Sequence, residues 1–222
     1  LGTRAENFSS FPFCVRSQSR QVLLDAHRRG ARALRAGPGK FPVGMTLALR
    51  DLQPMAGGEK TLESIRKESE DLYLDAARAD DFIGVQCYTR QRIGPKGLMA
   101  PEPGVECTQM GYEFWPEALE NAIRYASARA QIPVIITENG VATEDDSRRI
   151  AYLERALAGV GRCVRDGIDV RGYFHWTLMD NFEWLFGYGP KFGLASVDRQ
   201  TQRRTVKPSA EWLGRIARNN ET

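Results

Sequence analysis

Four short, nearly continuous apolar segments recur along this chain, and they constrain its fold more than any other feature. They cover residues 42–49, 81–88, 133–137 and 170–176. Each is too short for a typical helix and is rich in aliphatic and aromatic residues, which favours strands buried on both faces. Strands of this kind are typical of parallel sheets covered by helices.

Stretches with helical periodicity separate the apolar segments. The predicted helices cover residues 15–35, 59–79, 116–130 and 146–166, and a fifth begins near Pro208. A helix followed by four strand–helix units indicates an α/β fold, namely about half of a (β/α)8 barrel. A complete barrel takes roughly 250 residues, and this chain has 222. We expect a single domain over residues 1–222, with residues 1–14 irregular, because no repeat or linker is evident.

Charge and cysteine content argue against several functional classes. The net charge is only +3, and basic side chains such as Arg28, Arg29 and Arg32 fit a solvated helix face better than a nucleic-acid surface. No apolar run approaches the roughly 20 residues of a membrane span, and the first residues lack the apolar core of a signal peptide. The four cysteines show no metal-ligand spacing. We therefore expect a reduced, cytoplasmic protein without a metal, a nucleic-acid partner or a membrane contact.

Functional groups of a parallel α/β barrel lie at the carboxyl ends of its strands. Here those positions hold Tyr88, Glu138 and Trp176. A carboxylate directly after a buried strand is costly unless it is hydrogen-bonded or functional. Glu138 is therefore a candidate catalytic group, although a carboxylate that merely caps the following turn would give the same local pattern.

A mixture of aromatic and acidic residues follows the last apolar segment. Between Trp176 and Trp184 the chain carries Asp180, Asn181 and Glu183. Aromatic faces pack on the C–H faces of sugar rings, and carboxylates accept strong, charge-assisted hydrogen bonds. The combination suits a carbohydrate pocket, whereas an aromatic stretch alone is more often core packing.

Several ordered motifs carry a resemblance to one known family. They are residues 81–85 (Asp-Phe-Ile-Gly-Val) with 88–89, 110–113 with 115–117, 136–140 (Ile-Thr-Glu-Asn-Gly), 176–184 with 187–188 and 191–194, and Asp198, 204–205, 207–209 and Trp212. With these motifs, most of the chain resembles the C-terminal half of glycoside hydrolase family 1, the β-glucosidase family. The resemblance implies the C-terminal part, about four strand–helix units, of a (β/α)8 TIM barrel.

The resemblance also implies the catalytic roles. Glu138 would be the nucleophile that forms a glycosyl-enzyme intermediate. Tyr88 would hydrogen-bond Glu138 and help to keep it ionised. His27 and His175 match no functional position of the family, and we interpret both as structural residues.

The resemblance implies that five further residues bind the sugar. Trp176 would form the platform under the ring, and Phe192 would line the same pocket. Glu183, helped by Trp184, would bind the hydroxyls at the far end of the ring. Gln86 stands where the family usually has Asn, near the substrate 2-hydroxyl, so we expect it to contact substrate with altered geometry.

The sequence departs from the family at the motif that carries the acid/base carboxyl. A retaining glycosidase needs an acid/base carboxyl about 5–5.5 Å from its nucleophile, and the family carries it in an Asn-Glu-Pro motif that this sequence lacks. We therefore expect a retaining β-glycosidase of terminal β-linked hexosides that lacks the acid/base half and needs no cofactor. The alternative is a non-catalytic half-barrel, which binds sugar or assembles with a complementary N-terminal half or another copy.

Overall fold

One helix and then four strand–helix units make up residues 17–219, the part of the chain that the computed structural model describes. This order confirms the predicted succession of elements. The expectation of an irregular segment over residues 1–14 concerns residues outside the described range, as do the first two residues of the helix predicted from residue 15. Within the range, no helix is both long and apolar enough to cross a bilayer.

Six α-helices occur in the described residues. They are α1 (Ser17–Ala36), α2 (Glu59–Arg66), α3 (Leu72–Ala77), α4 (Ala118–Ala130), α5 (Asp146–Arg165) and α6 (Pro208–Asn219). A π-helical turn at Lys67–Asp71 joins α2 to α3, so the helix predicted over 59–79 is continuous but contains one widened turn. Helix α5 begins where the Asp145 carboxylate accepts the Ser147 amide at 2.9 Å, and this bond satisfies one of the unpaired donors of its first turn.

Nine strands occur in the same range. They are β1 (Gly44–Ala48), β2 (Asp51–Pro54), β3 (Phe82–Gln86), β4 (Arg90–Gly94), β5 (Gly97–Leu98), β6 (Val134–Asn139), β7 (Val170–His175), β8 (Ala195–Val197) and β9 (Arg204–Val206). The four apolar segments form β1, β3, β6 and β7, which pair in that order as one parallel sheet. This is the arrangement of a (β/α)8 barrel, of which the described residues supply four strands. Strands β1 and β7 lie at the two edges of the sheet.

Two smaller sheets are present that the sequence patterns do not predict. Strands β2, β4 and β5 form one of them, and β8 pairs with β9 as an antiparallel hairpin. These strands are short, and β4 reads Arg-Gln-Arg-Ile-Gly, so they carry no apolar run. Strand β2 pairs with β4 in parallel just as β1 pairs with β3. The small sheet therefore continues the same two segments of the polypeptide beyond the main sheet.

The hydrophobic core lies between the main sheet and the helices. Val134 and Ile136 of β6 are fully buried there with Leu119 and Ile123 of α4, whereas Ile135 is only half-buried. Side chains alternate between the two faces of a strand. One face of the sheet therefore packs on the helical layer, and the opposite face, on which Ile135 lies, carries side chains that are available to a site.

Candidate active site

An irregularity in the pairing of β3 with β6 brings Glu138 to the site. Val85 pairs with Ile136, but the next residue of β3, Gln86, pairs with Glu138, so Thr137 is left without a partner in the ladder. A bulge of this kind re-aims the side chains that follow it. Glu138 is half-buried and lies directly opposite Gln86.

Glu138 is held by neutral hydrogen-bond donors. The Tyr88 hydroxyl donates to Glu138 Oε2 at 2.5 Å, and Gln86 Nε2 donates to Oε1 at 2.8 Å. Burial raises the pKa of Glu138, the Tyr88 hydrogen bond lowers it, and the nearby negative charge of Glu183 raises it again. Burial and the Glu138 charge raise the pKa of Tyr88, so the phenol stays protonated as a donor.

Asn139, which is fully buried, connects the strand ends around Glu138. Its Nδ2 donates to the Cys87 carbonyl at 2.7 Å, and its Oδ1 accepts from the Tyr173 hydroxyl at 2.9 Å. Tyr152 of α5 completes the network by donating to the Tyr88 carbonyl at 2.7 Å. Because buried polar groups are costly unless paired, this network fixes β3, β6, β7 and α5 relative to one another. Sequence reasoning assigned no role to Asn139 or Tyr152. The position of Asn139, a polar residue at the end of an apolar strand, is the signal that could have indicated its role, and Tyr152 carries no such signal.

The end of β7 lies beside the same network. The Trp176 amide donates to the Asn139 carbonyl at 2.9 Å, and the Trp176–Thr177 peptide bond is cis. His175 Nε2 contacts the Phe192 carbonyl at 3.2 Å, and burial lowers the pKa of His175 to about 4. A neutral imidazole that donates to a main-chain carbonyl agrees with the structural role expected for His175.

Phe192 and the loop after β7 that carries Asp180 and Glu183, here called the acidic loop, complete the edge of the site. The Phe192 ring is buried and meets the Tyr88 ring edge-on, with 5.8 Å between the ring centroids. Glu183 is also buried, and its Oε2 accepts from Asn181 Nδ2 at 3.0 Å. Trp184, by contrast, is 81 % exposed. Glu183 therefore lies close enough to act on the charge of Glu138, while the Trp184 indole is open to a further group.

His27, the other histidine of the chain, and the acidic and cysteine side chains are further possible site groups. His27 lies away from this edge and pairs through Nε2 with Asp80 at 2.7 Å, in line with a structural role. Within residues 17–219, no three His, Cys, Asp or Glu side chains come together in a way that could hold a metal ion.

Replacing Gly140 by Ala is expected to destabilise the folded chain by about 1–3 kcal/mol. A Cβ at Gly140 would lie 2.0 Å from the Trp176 carbonyl oxygen, so the segments after β6 and β7 would have to separate. The free energy of unfolding from urea titrations, compared at equal m values, measures the effect.

Gly30→Ala is the matched control for this prediction. Gly30 lies within α1, and a Cβ there meets nothing within 4 Å. Ala should stabilise the helix by roughly 0.5–1 kcal/mol, since it loses less backbone entropy than Gly. Equal urea midpoints for Gly140→Ala and the wild-type chain would show that the close approach to Trp176 is not a constraint.

The described residues form a parallel β/α half-barrel with a carboxylate at a strand end, next to aromatic and acidic side chains, an arrangement in keeping with the glycosidase class of barrel proteins. The family model described as Glycosyl hydrolase family 1 matches residues 39–222. The chain belongs to this family, which confirms both the resemblance in the motifs and the partial (β/α)8 barrel.

Three similar proteins illustrate the match. The β-glucosidase of Agrobacterium sp. is 34% identical over 197 residues, which cover 81% of this chain and 40% of the relative. A bifunctional β-D-glucosidase/β-D-fucosidase of Bifidobacterium breve is 43% identical over 123 residues, 49% of this chain and 27% of the relative. The crystal structure of a β-glycosidase superposes with a TM-score of 0.91 at 45% identity, covering 100% of this chain and 58% of that chain. The chain thus spans less than two thirds of these proteins.

Proposed function

We propose that the chain carries the nucleophile side of a retaining β-glycosidase that removes terminal β-linked hexosides. One observation carries the proposal. Glu138 is half-buried at a strand end, both of its oxygens accept from neutral donors, and no Lys or Arg of the described residues forms an ion pair with it. A carboxylate without a counter-charge keeps its electron density available for attack, whereas a structural carboxylate at such depth is normally paired.

In the proposed reaction, one oxygen of Glu138 attacks the anomeric carbon of the sugar. The bond to the aglycone oxygen breaks as the ester forms, and the aglycone leaves with its electron pair and a proton from an acid. Water then cleaves the ester, so that the β configuration is retained after two displacements. Relatives named β-glucosidase support a hexoside as substrate.

The sugar would lie against the edge built by β6, β7 and the acidic loop. We assign Trp176 to the platform under the ring, and Glu183 with Trp184 to its hydroxyls. Phe192 backs the Tyr88 ring and closes the pocket wall. The Glu183 carboxylate, which is bonded to Asn181, suits a sugar diol because carboxylate oxygens accept several hydrogen bonds at once.

We propose that the acid/base carboxyl comes from polypeptide that completes the barrel. The described residues supply four parallel strands with β1 and β7 at open edges, and a closed barrel of this type has eight. A complementary half-barrel would cover both edges, and the greater length of the relatives favours it over a second copy of this chain. A half-barrel that only binds sugar is the alternative. The cytoplasmic location and the absence of a cofactor remain predictions.

Intact mass after incubation with 2,4-dinitrophenyl 2-deoxy-2-fluoro-β-glucoside tests this function. Dinitrophenolate leaves without protonation, so the ester can form without the acid/base group, and the fluorine slows its hydrolysis. We expect one fluoroglucosyl group, mapped to Glu138 by peptide sequencing. Glu138→Gln should remain unlabelled, whereas the exposed Glu144→Gln should label like the wild-type chain.

Other labelling results would contradict the assignment of Glu138 or the glycosidase function itself. Labelling of another carboxyl, or of Glu138→Gln, would assign the nucleophile elsewhere. A folded chain that binds β-glucosides but forms no adduct, alone or with the completing half-barrel, would support the sugar-binding alternative.

A further inference from the structure

We propose that Gln86 is a positioning residue, which holds Oε1 of Glu138 while Tyr88 holds Oε2. This inference rests on the proposed role of Glu138 as nucleophile. It differs from the role that the motif resemblance implied for Gln86, which was contact with the substrate. The reason for the change is that the Gln86 amide already donates to the Glu138 carboxylate.

The geometry of the pair begins with the strand register. Gln86 and Glu138 are direct partners in the β3–β6 ladder because Thr137 is bulged out. Without that bulge, Gln86 would pair with Thr137, and Glu138 would pair with Cys87 instead. Neighbouring strands lie about 4.7–4.9 Å apart, a separation that two side chains of this length can bridge with one hydrogen bond.

The orientation of the amide follows from charge. Only the NH2 end of Gln86 can donate, and its carbonyl oxygen would repel the carboxylate. With Nε2 at 2.8 Å from Oε1 and the Tyr88 hydroxyl at 2.5 Å from Oε2, each oxygen of Glu138 has its own donor. Two donors at opposite oxygens fix the plane of the carboxylate as well as its position, so one hydrogen bond alone would leave the group free to rotate.

The two donors Gln86 and Tyr88, which we call the clamp, also favour the charged form of Glu138. Hydrogen bonds to a carboxylate stabilise its ionised state and so lower its pKa. Among the described residues, the titratable groups that act on Glu138 are Tyr88, which lowers its pKa, and Glu183, which raises it. Burial raises it as well, so the amide of Gln86 offsets part of the burial without introducing a positive charge that would bind the nucleophile too tightly.

Gln86→Met is the informative variant, since Met has nearly the same length and removes the donor. The pH titration of the Glu138 carboxyl carbon, followed by NMR in the 222-residue chain labelled with 13C-glutamate, measures the pKa directly. The Glu138→Gln spectrum assigns the resonance. Losing one charge-assisted bond should raise the midpoint by about one pH unit, because the ionised form alone loses its partner.

Gln91→Met is the matched control. Gln91 lies on β4 and donates to the Met99 carbonyl at 2.7 Å, so it should leave the Glu138 midpoint unchanged. Gln86→Asn provides a second variant if Met disturbs the sheet. One carbon–carbon bond less shortens the reach by about 1.5 Å, so Asn should titrate like the Met variant. Midpoints of both Gln86 variants that match the wild-type value would overturn the clamp.

This titration needs no turnover, so it separates the clamp from the proposed function. A midpoint shift in Gln86→Met would keep the clamp even if the wild-type chain never forms the fluoroglucosyl ester, alone or with the completing half-barrel, and that second result would reject the glycosidase. If the ester forms, the positioning role predicts a slower labelling step with its acidic limb moved to higher pH and unchanged affinity for the reagent. Weaker affinity with an unmoved limb would make Gln86 a substrate ligand instead.

Discussion

Replacing Glu138 by Ala in the assembled barrel is expected to lower kcat/KM for an aryl β-glucoside by at least about 10⁴-fold, since loss of a nucleophile leaves only binding and orientation to act. The side chain contributes the electron pair for the first displacement, and Tyr88 and Gln86 have no nucleophile to hold without it. Initial rates with dinitrophenyl β-glucoside, for the chain combined with the polypeptide that completes the barrel, provide the measurement.

Sodium azide supplies the decisive control for this variant. The anion fits the space that the Glu138 carboxylate vacates and can attack the anomeric carbon from the same side. Dinitrophenolate then leaves, and α-glucosyl azide is the product, which NMR distinguishes from the β anomer. Glu144→Ala, at an exposed carboxylate six residues later, should keep wild-type rates. Full activity of Glu138→Ala, or a β-glucosyl azide product, would contradict the assignment.

Replacing Arg149 by Met is expected to cost about 3–5 kcal/mol of folding free energy, the range for breaking a buried charge network. Arg149 is 1% exposed and donates to the carbonyls of Thr143 at 2.8 Å and Lys191 at 2.6 Å, while its other end pairs with Asp146. Without it, the Thr143 carbonyl loses the Arg149 donor, the Lys191 carbonyl keeps only the Thr143 amide, and Asp146 keeps only the two donors of Ser209. Urea unfolding followed by far-UV circular dichroism measures the loss.

The effect should reach the site through the loop that Arg149 holds. Lys191 directly precedes Phe192, whose ring lies against Tyr88, so we expect slower fluoroglucoside labelling as well. Arg155→Met is the control on the same helix. That side chain is 47% exposed and pairs with Glu117, and exposed pairs contribute only about 0–1 kcal/mol. Equal losses for the two arginine variants would show that burial of Arg149 does not set its contribution.

The two arginines illustrate the limit of the sequence patterns. Arg149 and Arg155 occur on one helix. Arg149 shares the helical face of the buried Tyr152 and Leu153, but this spacing does not reveal which groups would pair with a buried guanidinium. The structure separates them because Arg149 faces the loop that returns more than 40 residues later. The same limit explains β4, whose polar sequence predicts no strand, and which is formed by pairing with β2.

Gln86 shows the limit at the site itself. The motif placed Gln86, Tyr88 and Glu138 at neighbouring strand ends, and the structure brings all three together. Which of them touches which depends on the bulge at Thr137. A one-residue change in register alters the face or the partner of every side chain beyond it, and the amino-acid order alone does not reveal where such a change occurs.

Apolar runs and helical periodicity were enough to predict the order of strands and helices, since burial of an apolar face follows from residue type and spacing alone. The motifs were enough to predict the family and the strand-end carboxylate. The pairing of polar groups was decided only in the folded chain: Gln86 with Glu138, Asn139 with Tyr173, and Arg149 with the carbonyl of Lys191. Hydrogen bonds act over about 3 Å, so they depend on distances between residues that lie far apart in the chain, which only tertiary packing establishes.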